Sequence, residues 1–398
     1  MTQHTRSGAG LRWTSRRTIG DMMKPFGLSP AAATAKLGDA IEKAVDGESV
    51  RNAVLHVNAP RAEIERTWAA GVADVRDGRP MRPETPFLSA SIGKIAVAAT
   101  TFALAADGLL ELDGPVAATV PPEILEGLPV VGGAAGVARI TTRMLLANRS
   151  GLPDYYDDQA HPTMDGSPSV GRLMLAEPDR RWTRSELIDY TRDHFAPFAA
   201  PGVRFLYSDL NWDLLGLVIE GVAGRPFHDV VRERVLEPLG MTSTWYHNFE
   251  VRPHRVDDIA DAFVGAANIA RSRSLTLDQA GGGLATSADD LAKLIRGLER
   301  GRPVSLDRLA TDWTEDAMSR GLDYGYGTWR WRPGRIFFLT WQLPQLVGVS
   351  GSTNSFAYLT GKGDVITGTL DQADDPSRHV RFLLSKVLPV LQRAKEPR

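Results

Sequence analysis

The 398-residue chain contains no cysteine. That absence removes disulfides, thiolate nucleophiles and cysteine-ligated metals from the chemistry open to it. An excess of one charge is lacking too: 46 Lys and Arg stand against 48 Asp and Glu, a formal net charge of -2. No broad field therefore draws the protein to nucleic acid or to an anionic membrane. Long apolar runs are also missing, since Asp, Glu, Arg or Gly interrupts each of them well before the roughly 18 residues that a membrane span needs. Arg16-Arg17 has the look of a twin-arginine export signal, but Asp21 and Lys24 break the apolar segment that should follow. A cytoplasmic protein without a membrane partner is the expectation. No His-Glu-x-x-His zinc signature, Walker phosphate loop or Gly-x-Ser-x-Gly elbow occurs, and the eight histidines form no local arrangement that nominates a Ser-His-Asp base. No metal or other cofactor is expected, and the expected partner is a small molecule.

What is present is an ordinary globular composition, 43% apolar and 24% charged, in a chain long enough for two lobes or one core with a large insertion. Residues 1–28 mix Gly, Ser, Thr and basic residues without a period and read as an extension. Ser29-Pro30 then supplies a cap and a first-turn proline for a helix over 31–45. Segments 50–57 and 63–75 are rich in β-branched and aromatic residues and flank Asn58-Ala59-Pro60, so they read as paired strands. Segments 355–359 and 365–370 make a second hairpin around Gly361-Lys362-Gly363-Asp364. Between the two ends, segments 141–146, 183–194, 210–222 and 288–298 carry helical spacing. The fold class expected is α+β: an antiparallel sheet flanked by helices and built from both chain ends, with a mostly helical lobe inserted. In residues, 29–118 and 285–398 form the α/β lobe, 119–284 the helical lobe, and the active site lies between them.

Ser91-Ile92-Gly93-Lys94 opens a long helical run over 95–110. Residues three apart share a helix face, so the lysine amine can approach the serine hydroxyl near the unpaired N–H groups of the first turn. A serine hydroxyl is a poor nucleophile until a neighbour takes its proton. The stretch Phe87-Leu88-Ser89-Ala90-Ser91-Ile92-Gly93-Lys94, with Gly108-Leu109-Leu110-Glu111-Leu112-Asp113-Gly114 after the helix, resembles the nucleophile segment of class C β-lactamases and their esterase and DD-peptidase relatives. Tyr207-Ser208-Asp209 resembles that superfamily's Tyr-x-Asn element, with aspartate in place of asparagine. Val349-Ser350-Gly351, followed by Ser352, resembles its Lys-Thr-Gly or His-x-Gly strand without the basic residue. Ile140 to Pro153 and Gly281 to Leu291 resemble two further blocks, and the resemblance covers about residues 50–390.

The resemblance implies a β-lactamase/transpeptidase-like fold and an acyl-enzyme on Ser91, with Lys94 and Tyr207 as its proton-handling partners. Asp209 is expected to hold Lys94 by a charge-assisted hydrogen bond and to raise its pKa, which leaves Tyr207 the better base. The N–H groups of Ser91 and Ser352 are expected to form the oxyanion hole, with Ser350 and Gly351 bordering the substrate. Loss of the cation at Val349 shifts the expected substrate away from β-lactams toward a small carboxylic ester or amide. Two alternatives stand beside hydrolysis: acyl transfer to an alcohol or amine through the same acyl-enzyme, and a catalytically silent binding protein.

Overall fold

The structure, a computed structural model, describes residues 27–394 apart from 158, 160 and 255. Arg16-Arg17 and most of the N-terminal extension lie outside the described residues. Ser29 caps helix α1 (Pro30–Glu42) by accepting the Ala32 N–H at 3.2 Å. Ala33, Leu37 and Ile41, four residues apart on one face, are buried where the helix packs on strand β2.

One antiparallel sheet of nine strands draws on both ends of the chain. Strands β1 (Asn52–Ala59), β2 (Ile64–Asp74) and β3 (Arg79–Pro80) come from the N-terminal side. The C-terminal side supplies β4 (Thr314–Ser319), β5 (Leu322–Tyr324), β6 (Trp329–Trp331), β7 (Leu346–Ser350), β8 (Phe356–Thr360) and β9 (Val365–Thr369). Their spatial order is β3-β2-β1-β9-β8-β7-β6-β5-β4. The two ends join where β1 pairs with β9, Val54 opposite Thr369. The intervening helices include α2 (Gly93–Ala106), α3 (Arg184–His194), α4 (Asp209–Ala223) and α5 (Ala288–Glu299). Helix α5 buries Leu291, Leu294, Ile295 and Leu298 and lies across β1, β8 and β9.

Helix α2 is apolar around its whole circumference, and every residue from Gly93 to Leu104 is buried. Such a helix belongs inside a protein, and this one packs on α4. The turn between β5 and β6 closes on the same pair: a Cβ at Gly327 would lie 2.8 Å from the Trp212 ring and 3.1 Å from the Ala98 methyl. The helix is shorter than the 95–110 run that spacing predicts, stopping at Ala106 before Gly108, whose φ is 73°.

Strands β4 to β6 are not announced by the sequence pattern. Asp323 on β5 is fully buried, held by Arg330 at 2.7 Å and Arg332 at 2.6 Å. A buried ion cluster inside a strand pair hides the alternation of apolar and polar residues that marks a half-buried strand. The aromatic residues of this region divide accordingly. Tyr324, Tyr326, Trp329 and Trp331 are buried, whereas Trp341 is 70% exposed.

Candidate active site

Ser91 sits in a short 3-10 turn, residues 90–92, that feeds into α2. Ala90 just before it has φ 46°, a left-handed conformation that costs a residue with a Cβ about 1–3 kcal/mol and persists only where the surroundings enforce it. Those surroundings are the end of β7 and the loop after it. The Ser355 hydroxyl donates to the Ser89 carbonyl at 2.7 Å, and the Thr353 hydroxyl donates to the Leu88 carbonyl at 3.1 Å. A Cβ at Gly351 would stand 2.3 Å from the Ser89 oxygen, so only glycine lets the strand approach this closely. Neither the Ser91 nor the Ser352 N–H donates to an acceptor among the described residues. Val349 is fully buried, and this strand segment carries no cation. Ser350 is half-buried at the end of β7, paired with Phe356.

Lys94 lies one turn along from Ser91 with its side chain 2% exposed. Its Nζ donates to Ser91 Oγ at 3.2 Å, to Asp209 Oδ1 at 2.6 Å and to the Gly281 carbonyl at 2.6 Å. Three acceptors match the three donors of an ammonium. The charge also lies over the Tyr207 ring at 5.1 Å and the Trp212 ring at 5.8 Å. Burial alone would depress this lysine, but Asp209, helped by Tyr207 and Asp278, pushes it well above its ordinary value. The loop that supplies the Gly281 carbonyl needs its glycines. A Cβ at 281 would lie 3.1 Å from Asp209 Oδ1, and the glycine of Ser-x-Gly-Lys, Gly93, faces Gly282 with only 3.0 Å to spare for a Cβ.

Tyr207 projects from the loop ahead of α4. Its ring packs against Tyr324 and Trp329, centroids 5.8 and 5.5 Å away, while its buried hydroxyl finds no hydrogen-bond partner among the described residues. Burial pushes its pKa up to about 12, with Lys94 and Ser91 opposing and Asp209 reinforcing the rise. Asn148 holds this loop. With φ at 53°, it accepts from the Ser208 N–H at 3.2 Å and from Asn211 Nδ2 at 2.8 Å, and its carbonyl accepts from Leu206 N at 3.0 Å.

Two carboxylates in the site carry no motif in the sequence. Asp154 accepts the Asp209 N–H at 2.9 Å and is almost wholly buried; burial and the Asp209 charge raise its pKa to about 8. Asp278 accepts no hydrogen bond among the described residues and is pushed up to about 7 by burial and Asp209, with Lys94 opposing. A third, Asp213, accepts from the Tyr155 hydroxyl at 2.7 Å, and burial raises it to about 7. The pattern that would have pointed to Asp154 and Asp278 is weak, an acid on a loop before an aromatic pair or a glycine run. For metals, His228, Asp229 and Glu250 bring ligand atoms within 4.8 Å of one another. Glu250 is already held by Arg232 at 2.6 Å, and none of the three belongs to the Ser91 site.

A family model described as Beta-lactamase matches residues 37–384. The chain belongs to that family. Esterase EstB of Burkholderia gladioli is 29% identical over 338 residues, 76% of this chain and 80% of the esterase. A methylbutanoyltransferase of Penicillium citrinum that acts on ML-236A carboxylate is 26% identical over 236 residues, 56% of this chain and 53% of the transferase. Among solved structures, a D-amino acid amidase of Ochrobactrum anthropi SV3 superposes with a TM-score of 0.72 at 22% identity, covering 91% of this chain and 98% of the amidase. The antiparallel sheet flanked by helices is thus the fold of the β-lactamase and penicillin-binding protein family, and that family's members are serine hydrolases. Among the described residues no helix is long and apolar enough to cross a membrane.

Proposed function

We propose that this β-lactamase-family chain hydrolyses a small carboxylic ester or amide through an acyl-enzyme on Ser91. The observation that carries the reading is the buried Lys94 amine 3.2 Å from Ser91 Oγ, beside a tyrosine hydroxyl with no hydrogen-bond partner among the described residues. In the resting site Lys94 holds three protons and Tyr207 keeps its own, so the base arises when substrate fills the cleft. Excluding water weakens a lysine–carboxylate ion pair relative to its neutral form. A proton then passes from Lys94 to Asp209, and Lys94 accepts the Ser91 proton as Oγ bonds to the carbonyl carbon. The oxyanion forms against the free N–H groups of Ser91 and Ser352. Collapse breaks the bond to the leaving group, which takes its proton from Tyr207, and Tyr207 is recharged through Lys94. Water attacks the acyl-enzyme by the reverse relay and releases the acid and Ser91.

The missing cation at Val349 argues against substrates that present a carboxylate to this strand, since such a contact is worth roughly 1.5–3 kcal/mol. Acyl transfer is the second reading, motivated by the methylbutanoyltransferase relative. Hydrolysis of p-nitrophenyl butyrate with and without an added alcohol or amine tests both readings. Ester cleavage that falls at least ~1,000-fold in Ser91→Ala supports the acyl-enzyme. An acceptor that diverts most of the acid product into a new ester or amide favours the transferase. Equal rates for wild type and variant overturn both and leave a binding protein.

A further inference from the structure

Among the described residues, Asp278 is the one member of the site's carboxylate group left without a hydrogen-bond or ion-pair partner. Asp209 is held by Lys94, Asp154 accepts two backbone N–H groups, and Asp213 accepts the Tyr155 hydroxyl. Asp278 accepts no hydrogen bond and forms no ion pair among the described residues, yet it is close enough to feel the charges of both Lys94 and Asp209. Its position is fixed by Gly282: a Cβ there would fall 2.4 and 2.5 Å from the two carboxylate oxygens. Gly282 in turn lies against Gly93 inside the Ser91–Lys94 segment, and its carbonyl accepts the Ser89 hydroxyl at 3.2 Å. The carboxylate thus occupies the space that a side chain at 282 would fill, beside the nucleophile turn, and it is partly open to solvent. Two further groups lie within range of its charge. Tyr246, wholly buried, has a hydroxyl without a hydrogen-bond partner among the described residues, and both Tyr246 and Tyr156 are pushed up in part by the Asp278 charge.

Charge around the nucleophile is correspondingly one-sided. Among the described residues Lys94 is the only cation within hydrogen-bond reach of Ser91, it is spent on three acceptors, and Val349 supplies none. A cleft with a surplus carboxylate rejects anions and attracts cations. We propose that Asp278 is the anchor for a protonated amine on the acyl side of the substrate, so that the substrate class is aminoacyl esters or amides. The ammonium supplies the donors that Asp278 lacks, and it balances the charge left by the absent strand cation. Burial resists ionisation of this carboxylate, and an ammonium beside it favours the ionised form.

This inference rests on the acyl-enzyme reading, and its test separates the two. Methyl esters of L-alanine, D-alanine and β-alanine are compared with methyl isobutyrate and methyl butyrate, in which a methyl replaces the ammonium, by titrating released acid at pH 6.5. With each rate divided by that ester's own hydroxide-catalysed rate, which removes the ammonium's inductive activation of the carbonyl, wild type is expected to favour at least one ammonium ester over its neutral counterpart by about 10- to 100-fold in kcat/KM, the range of one charge-assisted hydrogen bond. In Asp278→Asn that ratio is expected to fall to near one, and in Asp278→Glu to recover part of its size. Turnover of the neutral esters with no preference for ammonium in wild type, or a preference that survives Asp278→Asn, overturns the anchor and leaves the acyl-enzyme standing. Failure to turn over any ester, with no covalent labelling of Ser91, overturns both.

Discussion

Replacing Asp209 by asparagine removes the carboxylate that Lys94 meets at 2.6 Å while keeping the side chain's shape. At an effective dielectric of about 20 that contact is worth roughly 6 kcal/mol, or about 4–5 pKa units on the lysine. The asparagine oxygen still accepts one hydrogen bond, so a fall of about 3 units or more is expected. In wild type the Lys94 pKa is raised; its contribution to stability is fully present below the unfolded value of about 10.4 and is lost only above it. Lys94 therefore adds no slope between pH 6 and 9. In Asp209→Asn the sign reverses: burial depresses the folded pKa below the unfolded one, the unfolded chain binds more protons, and stability rises with pH. Asp154 and Asp278, no longer raised by the Asp209 charge, lose less stability as pH climbs, which acts in the same direction. The variant should thus be about 3–5 kcal/mol less stable at pH 6. With an unfolding entropy of about 2.1 cal/mol/K per residue, that is roughly 4–6 °C in Tm. Calorimetry of both proteins from pH 6 to 10 should show the gap closing as pH rises, while the ester-cleavage rate of the variant gains a limb that increases with pH. A gap of constant size, or no gap, would refute the electrostatic reasoning for the pair.

Tyr207→Phe deletes a hydroxyl that makes no hydrogen bond among the described residues, so Tm should change by less than about 2 °C while kcat for a methyl ester, whose leaving group needs a proton, falls roughly 100- to 10,000-fold; equal activity would remove Tyr207 from the relay. Asp154 has a folded pKa of about 8, above its unfolded value, so stability is lost as pH rises from about 4 to 8. Asp154→Asn should melt several degrees above wild type at pH 8.5 and show no such advantage at pH 4; a difference independent of pH would contradict the raised pKa. Gly351→Ala places a Cβ 2.3 Å from the Ser89 oxygen and 2.4 Å from Ser355 Oγ, which forces the strand off the nucleophile turn. A loss of about 1–3 kcal/mol in stability together with a large loss of kcat is expected, and wild-type kinetics would show that the close approach does not matter.

Much of the frame was legible because local signals agree there. Ser29-Pro30 marks a helix start, and the 52–74 and 356–369 hairpins carry turn residues between β-rich runs. Ser91, Lys94, Tyr207 and Asp209 were readable as types at a spacing, and α2 with the 281–283 loop brings them together. Strands β4 to β6 were not readable, because their stabilising contacts are arginine–aspartate pairs between strands. Asp154, Asp278 and Asn148 were equally hidden. Their roles depend on partners 55 or more residues away in the chain or on a glycine that leaves room, and neither leaves a local pattern.

The most direct measurement is intact-protein mass spectrometry after incubation with an alkyl p-nitrophenyl phosphonate, followed by peptide mapping. Acyl-enzyme chemistry at the Lys94-paired serine predicts one adduct per chain, on the peptide holding Ser91, abolished by Ser91→Ala and slowed by Lys94→Met. An unlabelled wild type, or an adduct that persists in Ser91→Ala, would contradict it.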